Sequence, residues 1–187
     1  MHLKFYLPQY LIGGGELITI ALLKSIAEGN RGITQSLFCQ GSNQITTLTP
    51  TILNELNYKN KISLFKKLIL SFLSDWAKHH DTKHIAILSG MIIYTGWINL
   101  FFWQKLICIE HSNLGQFYFK EGSYHKRIMR IFLYNVALLR AEKLIFVSTE
   151  AMRDSIIKLW SINRKKATVV RNPIFDIGEK LTLSDRD

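Results

Sequence analysis

Short apolar runs alternate with stretches of helical period along nearly the whole chain, and this alternation constrains the fold more than any other feature. Leu3–Leu7 reads as a strand and Gly15–Glu28 as a helix, with Ile18, Leu22, Leu23 and Ile26 on one face and Gly29 near its C-cap. Ile33–Cys39 is the next strand, and Gln44–Leu48 a short further one. Over Asn60–Lys78, Ile62, Phe65, Ile69, Phe72 and Trp76 step by three and four, with Lys66, Lys67, Ser74 and Lys78 off that stripe. Strand His84–Leu88, a short buried helix over Met91–Trp103 and strand Lys105–Ile109 follow. A helix then runs from about Ser123 to Arg140, before strand Lys143–Val147. A helix over Thr149–Trp160, capped by Ser148 or Thr149, leads to strand Ala167–Val170, which Asn172-Pro173 ends. Repeated β-then-α units of this length imply right-handed crossovers and a mostly parallel sheet covered by helices on both faces, a three-layer α/β domain.

One domain is expected over residues 1–176, with a loose polar tail over 177–187. A chain of 187 residues that is 48% hydrophobic and 20% charged can bury a core of its own. Cys39 and Cys108 fall in strand-like runs and read as buried thiols in a reducing, cytoplasmic compartment. His79-His80 ends a basic helix without acidic or Cys company at ligand spacing, so no metal site is expected. Pro8 and the glycines break the N-terminal apolar stretch, which is no signal peptide. Ile85–Gln104 holds no charged residue and has the length of a bilayer span. Ser89, Gly90, Thr95, Gly96, Asn99 and Gln104 interrupt it, and a strand, a loop and a buried helix explain it better.

Two short words carry the chemistry. Gly13-Gly14-Gly15-Glu16 lies between the first strand and the first helix; Glu110-His111-Ser112-Asn113 directly follows the strand Lys105–Ile109. In an open parallel sheet, ligands bind at the carboxyl ends of the strands, so both words belong on one edge. The glycines lack the G-x-G-x-x-G spacing, Ile18 standing in the third place, and they lack a P-loop Lys-Ser/Thr ending. They suit either a tight turn needing positive φ or a diphosphate approaching bare N–H groups at a helix start. His111 can hydrogen-bond a sugar hydroxyl or phosphate oxygen, and when neutral can accept a proton. Glu110 has three readings: it fixes the His111 tautomer, binds an acceptor hydroxyl, or points into solvent.

The net charge of +10 favours an anionic partner: membrane headgroups, nucleic acid or a phosphorylated substrate. Lys59, Lys61, Lys66 and Lys67 cluster at the start of the Asn60–Lys78 helix. Such a basic amphipathic helix either covers the sheet with a solvated face or lies on an anionic bilayer. Lys126, Arg127 and Arg130, with His125, extend the same patch. No nucleic-acid module or aromatic-basic signature appears, and no nucleic acid is expected as a partner.

The order of these words resembles the N-terminal half of the family-4 retaining glycosyltransferases, which have the GT-B fold. Phe5-Tyr6-Leu7-Pro8 through Gly13-Gly14-Gly15-Glu16-Leu17 is similar to that family's first strand and glycine loop. Ile107-Cys108-Ile109-Glu110-His111-Ser112 is similar to its strand-end histidine, and Ala141-Glu142-Lys143-Leu144-Ile145-Phe146-Val147-Ser148 to its strand–Ser–helix word. Val169-Val170-Arg171-Asn172-Pro173-Ile174 resembles the link into a second domain, with Phe175 inserted before Asp176.

The resemblance implies a Rossmann-like domain forming one half of a GT-B architecture. In it Gly13, Gly14 and Gly15 face the donor phosphates, and His111 is the catalytic candidate near the transferred sugar. Glu110, Ser112, Asn113 and Ser148 are then acceptor or sugar contacts. The co-substrate is a nucleotide-sugar, with no cofactor and no metal, because basic groups and amides stabilise the departing diphosphate. The acceptor is a glycan or a lipid-linked sugar in cell-surface polysaccharide or glycolipid synthesis. These residues by themselves hold half a cleft, so no transfer is expected without a separate donor-binding domain. Two other readings compete: a non-catalytic, membrane-peripheral interaction module, and an unrelated nucleotide-binding domain of the same general fold.

Overall fold

The computed structural model describes residues 1–8, 14–29, 32–39, 52–55, 60–78, 81–115, 119–120, 122–162 and 164–170. Seven strands form one parallel sheet: β1 (His2–Tyr6), β2 (Thr34–Cys39), β3 (Ile52–Glu55), β4 (Thr82–Ile87), β5 (Lys105–Glu110), β6 (Ala141–Phe146) and β7 (Ala167–Val169), in the order β3-β2-β1-β4-β5-β6-β7. The helices are α1 (Gly14–Gly29), α2 (Lys61–Lys78), α3 (Ser89–Phe102), α4 (Tyr124–Leu138) and α5 (Thr149–Ile156). The expected alternation is present, with boundaries displaced by a few residues. The proposed strand Gln44–Leu48 lies outside the described residues, and the third strand is instead Ile52–Glu55. Asn172-Pro173 and the tail over 177–187 also lie outside them.

Successive strand side chains point to opposite faces, and each face has its own core. Phe5 and Leu7 pack with Leu37, Ile85, Ile87 and Leu23 of α1. Tyr6, Ala86, Leu106, Cys108 and Leu144 pack on the other side with α2 to α5. Both cysteines are buried. On that second side α3 lies between α2 and α4. Gly96 makes the α3–α4 approach possible, since a Cβ there would overlap the Ala137 carbonyl and come within 2.7 Å of Ala137 Cβ. Ile85–Gln104 resolves into the end of β4, a turn and α3; no described helix is long and apolar enough to cross a membrane.

Two helix faces differ from their expected orientation. In α2 the middle of the expected stripe packs inward, Phe72 buried and Phe65 and Ile69 half-buried against the core, but Leu64, Leu68 and Asp75 are buried beside it, whereas its ends Ile62 and Trp76 are 69% and 57% exposed. The helix is apolar around most of its circumference, so two stripes at helical spacing compete. Asp75 decides between them: its carboxylate pairs with Lys4 of β1 at 2.8 Å, turning the Leu64–Phe72 side inward. In α1, Leu23 is buried and Ile26 packs against the core as expected, but Thr19 is buried and Leu22 exposed, while the side chain of Ile18 lies outside the description.

Candidate functional site

All strands run the same way, so their carboxyl ends share one rim. The chain leaves β1 for β2 on one side and enters β4 on the other, which opens a crevice between β1 and β4 at the switch in strand order. Gly13 lies outside the described residues; Gly14 and Gly15 open α1 on this rim. The first N–H groups of a helix have no intrahelical acceptor and carry the positive end of its dipole. His111 follows β5, which is separated from β1 by β4 alone. At the usual strand spacing the carboxyl ends of β1 and β5 are about 10 Å apart across the sheet.

The turn between them is strained. Leu88 has φ 70° and ψ 150°, a region nearly reserved for glycine, at a cost of roughly 1–3 kcal/mol. Its backbone is pinned on both sides: its N–H donates to the Ile109 carbonyl at 3.1 Å, and its carbonyl accepts from Ile92 at 3.0 Å. This ties the start of α3 to the strand that carries His111.

Glu110 is completely buried and accepts four hydrogen bonds. They come from the Ser112 N–H (3.0 Å) and hydroxyl (2.6 Å), the Ser89 hydroxyl (2.8 Å) and the Tyr134 hydroxyl (2.9 Å). Burial pushes its carboxyl above the usual range, and these donors act in the opposite sense. Its burial excludes the solvent-facing reading, and its bonds go to Ser89, Ser112 and Tyr134 rather than to the imidazole, so it does not fix the His111 tautomer. It holds the loop after β5 against α3 and α4.

The rest of that loop is fastened to α5. The Asn113 amide donates to the Asp154 carboxylate at 3.0 Å, and the Gly115 N–H to the Ser155 hydroxyl at 3.4 Å. A Cβ on Gly115 would overlap the Asp154 carbonyl. Ser148 caps α5, accepting from the Ala151 N–H at 3.0 Å. Ser112, Asn113 and Ser148 therefore reach the rim with polar atoms already engaged. The His111 ring has no hydrogen-bond partner among the described residues. Partial burial lowers its pKa below the ordinary 6.5, so at neutral pH it is uncharged, with one donor and one acceptor nitrogen.

The basic residues divide. Lys59 lies outside the described residues; Lys61, Lys66, Lys126 and Arg127 are exposed, and Lys67 and Arg130 half-buried. Among the described residues no cluster of His, Cys, Asp or Glu could hold a metal.

A second polar group, not singled out in the sequence, is buried beneath α2. Lys4 Nζ bonds Asp75 (2.9 Å) and Ser71 (3.3 Å); the Tyr6 hydroxyl meets Ser71 at 3.0 Å and His84 Nδ1 at 2.9 Å; the other His84 nitrogen contacts Gln104. A histidine inside a strand and one carboxylate on a helix were the signals available. Cavities of about 490 and 350 Å³ open beside this group, at the amino ends of the strands, away from the rim. Burial pulls His84 down to about 4 despite the nearby Asp75. Its neutral form is favoured on folding, so that contribution is complete above the unfolded value of 6.5 and is lost as pH falls toward 4. In urea titrations across this window, the stability advantage of wild type over His84→Gln should shrink by about 1.4 kcal/mol per pH unit. A pH-independent difference would refute the neutral assignment.

No protein-family model matches the chain, and no curated protein matches it. Solved structures do. HepE from Anabaena, solved with UDP-glucose, aligns at a TM-score of 0.62 and 15% identity, over 92% of this chain and 44% of that one. The lipopolysaccharide outer core galactosyltransferase WaaB aligns at 0.59 and 14% identity, over 93% and 46%. UDP-GlcNAc 2-epimerase from Methanocaldococcus jannaschii aligns at 0.59 and 12% identity, over 92% and 46%. The chain thus spans less than half the length of each and has the Rossmann-like α/β fold of one half of the GT-B architecture.

Proposed function

We propose that this chain is the acceptor-binding half of a sugar-transferring enzyme that uses a nucleotide-sugar donor. The observation that carries the reading is the single rim shared by the glycine-started α1 and the neutral His111, whose ring has no hydrogen-bond partner among the described residues. The fold similarity to HepE and WaaB supports it, as does HepE's complex with UDP-glucose. In this reading the Gly14–Gly15 amides approach the donor diphosphate. His111 bonds a hydroxyl of the transferred sugar or of the acceptor, a glycan or lipid-linked sugar used in building a cell-surface polysaccharide or glycolipid at the cytoplasmic side of a membrane. Glu110 acts as a positioning residue for the loop. Gly13 and Ser148 complete the phosphate and sugar edges. A second domain supplies the remaining diphosphate contacts and closes the cleft against water.

A few backbone amides on an open rim bind a diphosphate weakly. Isothermal titration of this chain with UDP-glucose should therefore give a Kd of about 1 mM or weaker. A Kd in the micromolar range would mark a self-sufficient nucleotide-binding domain instead, and would overturn the acceptor-half assignment.

A further inference from the structure

We propose that the outer surface of the α2–α3–α4 layer is a docking face for an anionic lipid bilayer, with the rim held at headgroup level. The layer already covers one side of the sheet, so apolar residues on its outside are not needed for that core. They are nevertheless abundant. On α2, Ile62, Leu70, Leu73 and Trp76 are exposed; on α4, Tyr124, Ile128 and Phe132 are exposed at spacings of four, and Leu139 is exposed just past its end. Between them, α3 contains no charged residue, and Phe101 near its end is 78% exposed. Two apolar ridges thus flank an uncharged helix.

The charge on this layer has one sign. The three helices contain a single carboxylate, Asp75, which is buried and paired with Lys4. Their cations are Lys61, Lys66, Lys67 and Lys78 on α2, and Lys126, Arg127 and Arg130 on α4. Most lie in the amino-terminal halves of α2 and α4. Those ends follow the carboxyl ends of β3 and β5, so the cations gather beside the rim that carries His111.

Exposed apolar side chains bordered by cations, with no exposed acid among them, suit an anionic interface: acyl chains take the ridges and headgroup phosphates take the basic ends. A second copy of this chain is the poorer occupant, because a two-fold contact would set these cations against their own copies. The face needs no sugar-transfer activity to work, so its test is separate from the test of the proposed function.

The test is cosedimentation of the chain with vesicles of phosphatidylcholine alone, and with 30% phosphatidylglycerol, at low and high salt. Binding should be at least tenfold stronger to the anionic vesicles and should weaken in 0.5 M salt. Each cation reversed among Lys126, Arg127 and Arg130 should cost about fivefold or more. Ile128→Ser with Phe132→Ser should weaken binding at both salt concentrations; circular dichroism verifies that the variants are folded. Absence of vesicle binding, equal binding to neutral and anionic vesicles, or a dimer that the Ile128/Phe132 variant dissolves would each overturn the proposal.

Discussion

Glu110→Ala should lower the unfolding free energy by about 3 kcal/mol or more, read from urea denaturation. The Tyr134 hydroxyl is fully buried and donates to Glu110 at 2.9 Å. Without that acceptor the buried hydroxyl loses a hydrogen bond to a charged group, and the lost side chain leaves a cavity besides. Ser89 and Ser112 are half-buried and lose less. Adding Tyr134→Phe should recover part of the loss, because removing both partners costs less than stranding one. Glu110→Gln should fall between, since its amide puts a donor where an acceptor is needed. A Glu110→Ala protein within 0.5 kcal/mol of wild type would mean that the carboxylate does not organise this loop.

Glu110 also marks where reading residues in order stops being enough. The strand before it and the histidine after it are visible as an apolar run and a change to polar residues. Its burial depends on Ser89, from the preceding β–α turn, and on Tyr134, a full turn short of the end of α4. Those contacts span more than twenty residues in each direction and leave no local signature. The same holds for α2, where Ile62–Trp76 and Leu64–Phe72 are equally good stripes until Lys4 and Asp75 meet across the sheet. The strain at Leu88 has no sequence mark either, because glycine at residue 90, not 88, is what a turn search would choose. By contrast, the alternation of short strands and helices is local, repeated and redundant, and it specifies a parallel sheet even with boundaries misplaced by a few residues.

The second large effect concerns His111. With the donor-binding half supplied, His111→Ala should reduce sugar transfer by about 10²–10⁴-fold if the ring exchanges a proton. The reduction should be about tenfold if it only hydrogen-bonds a hydroxyl. Stability should change little in either case, because the ring has no partner among the described residues whose loss would be felt. His111→Asn, which keeps a donor and an acceptor, separates the two roles: it should restore much of the activity of a hydrogen-bonding residue and none of a proton-transferring one. Full activity in the Ala variant would remove His111 from the site.

The claim on which the others depend is that this imidazole lines the place where an acceptor sugar sits. NMR of the six histidine rings during titration with octyl β-glucoside and octyl β-galactoside, below their micelle-forming concentrations, addresses it directly. The account predicts that the His111 ring signals shift and saturate with one of these glycosides, while the buried His84 ring stays still. Saturable shifts elsewhere on the protein with His111 unmoved would contradict it.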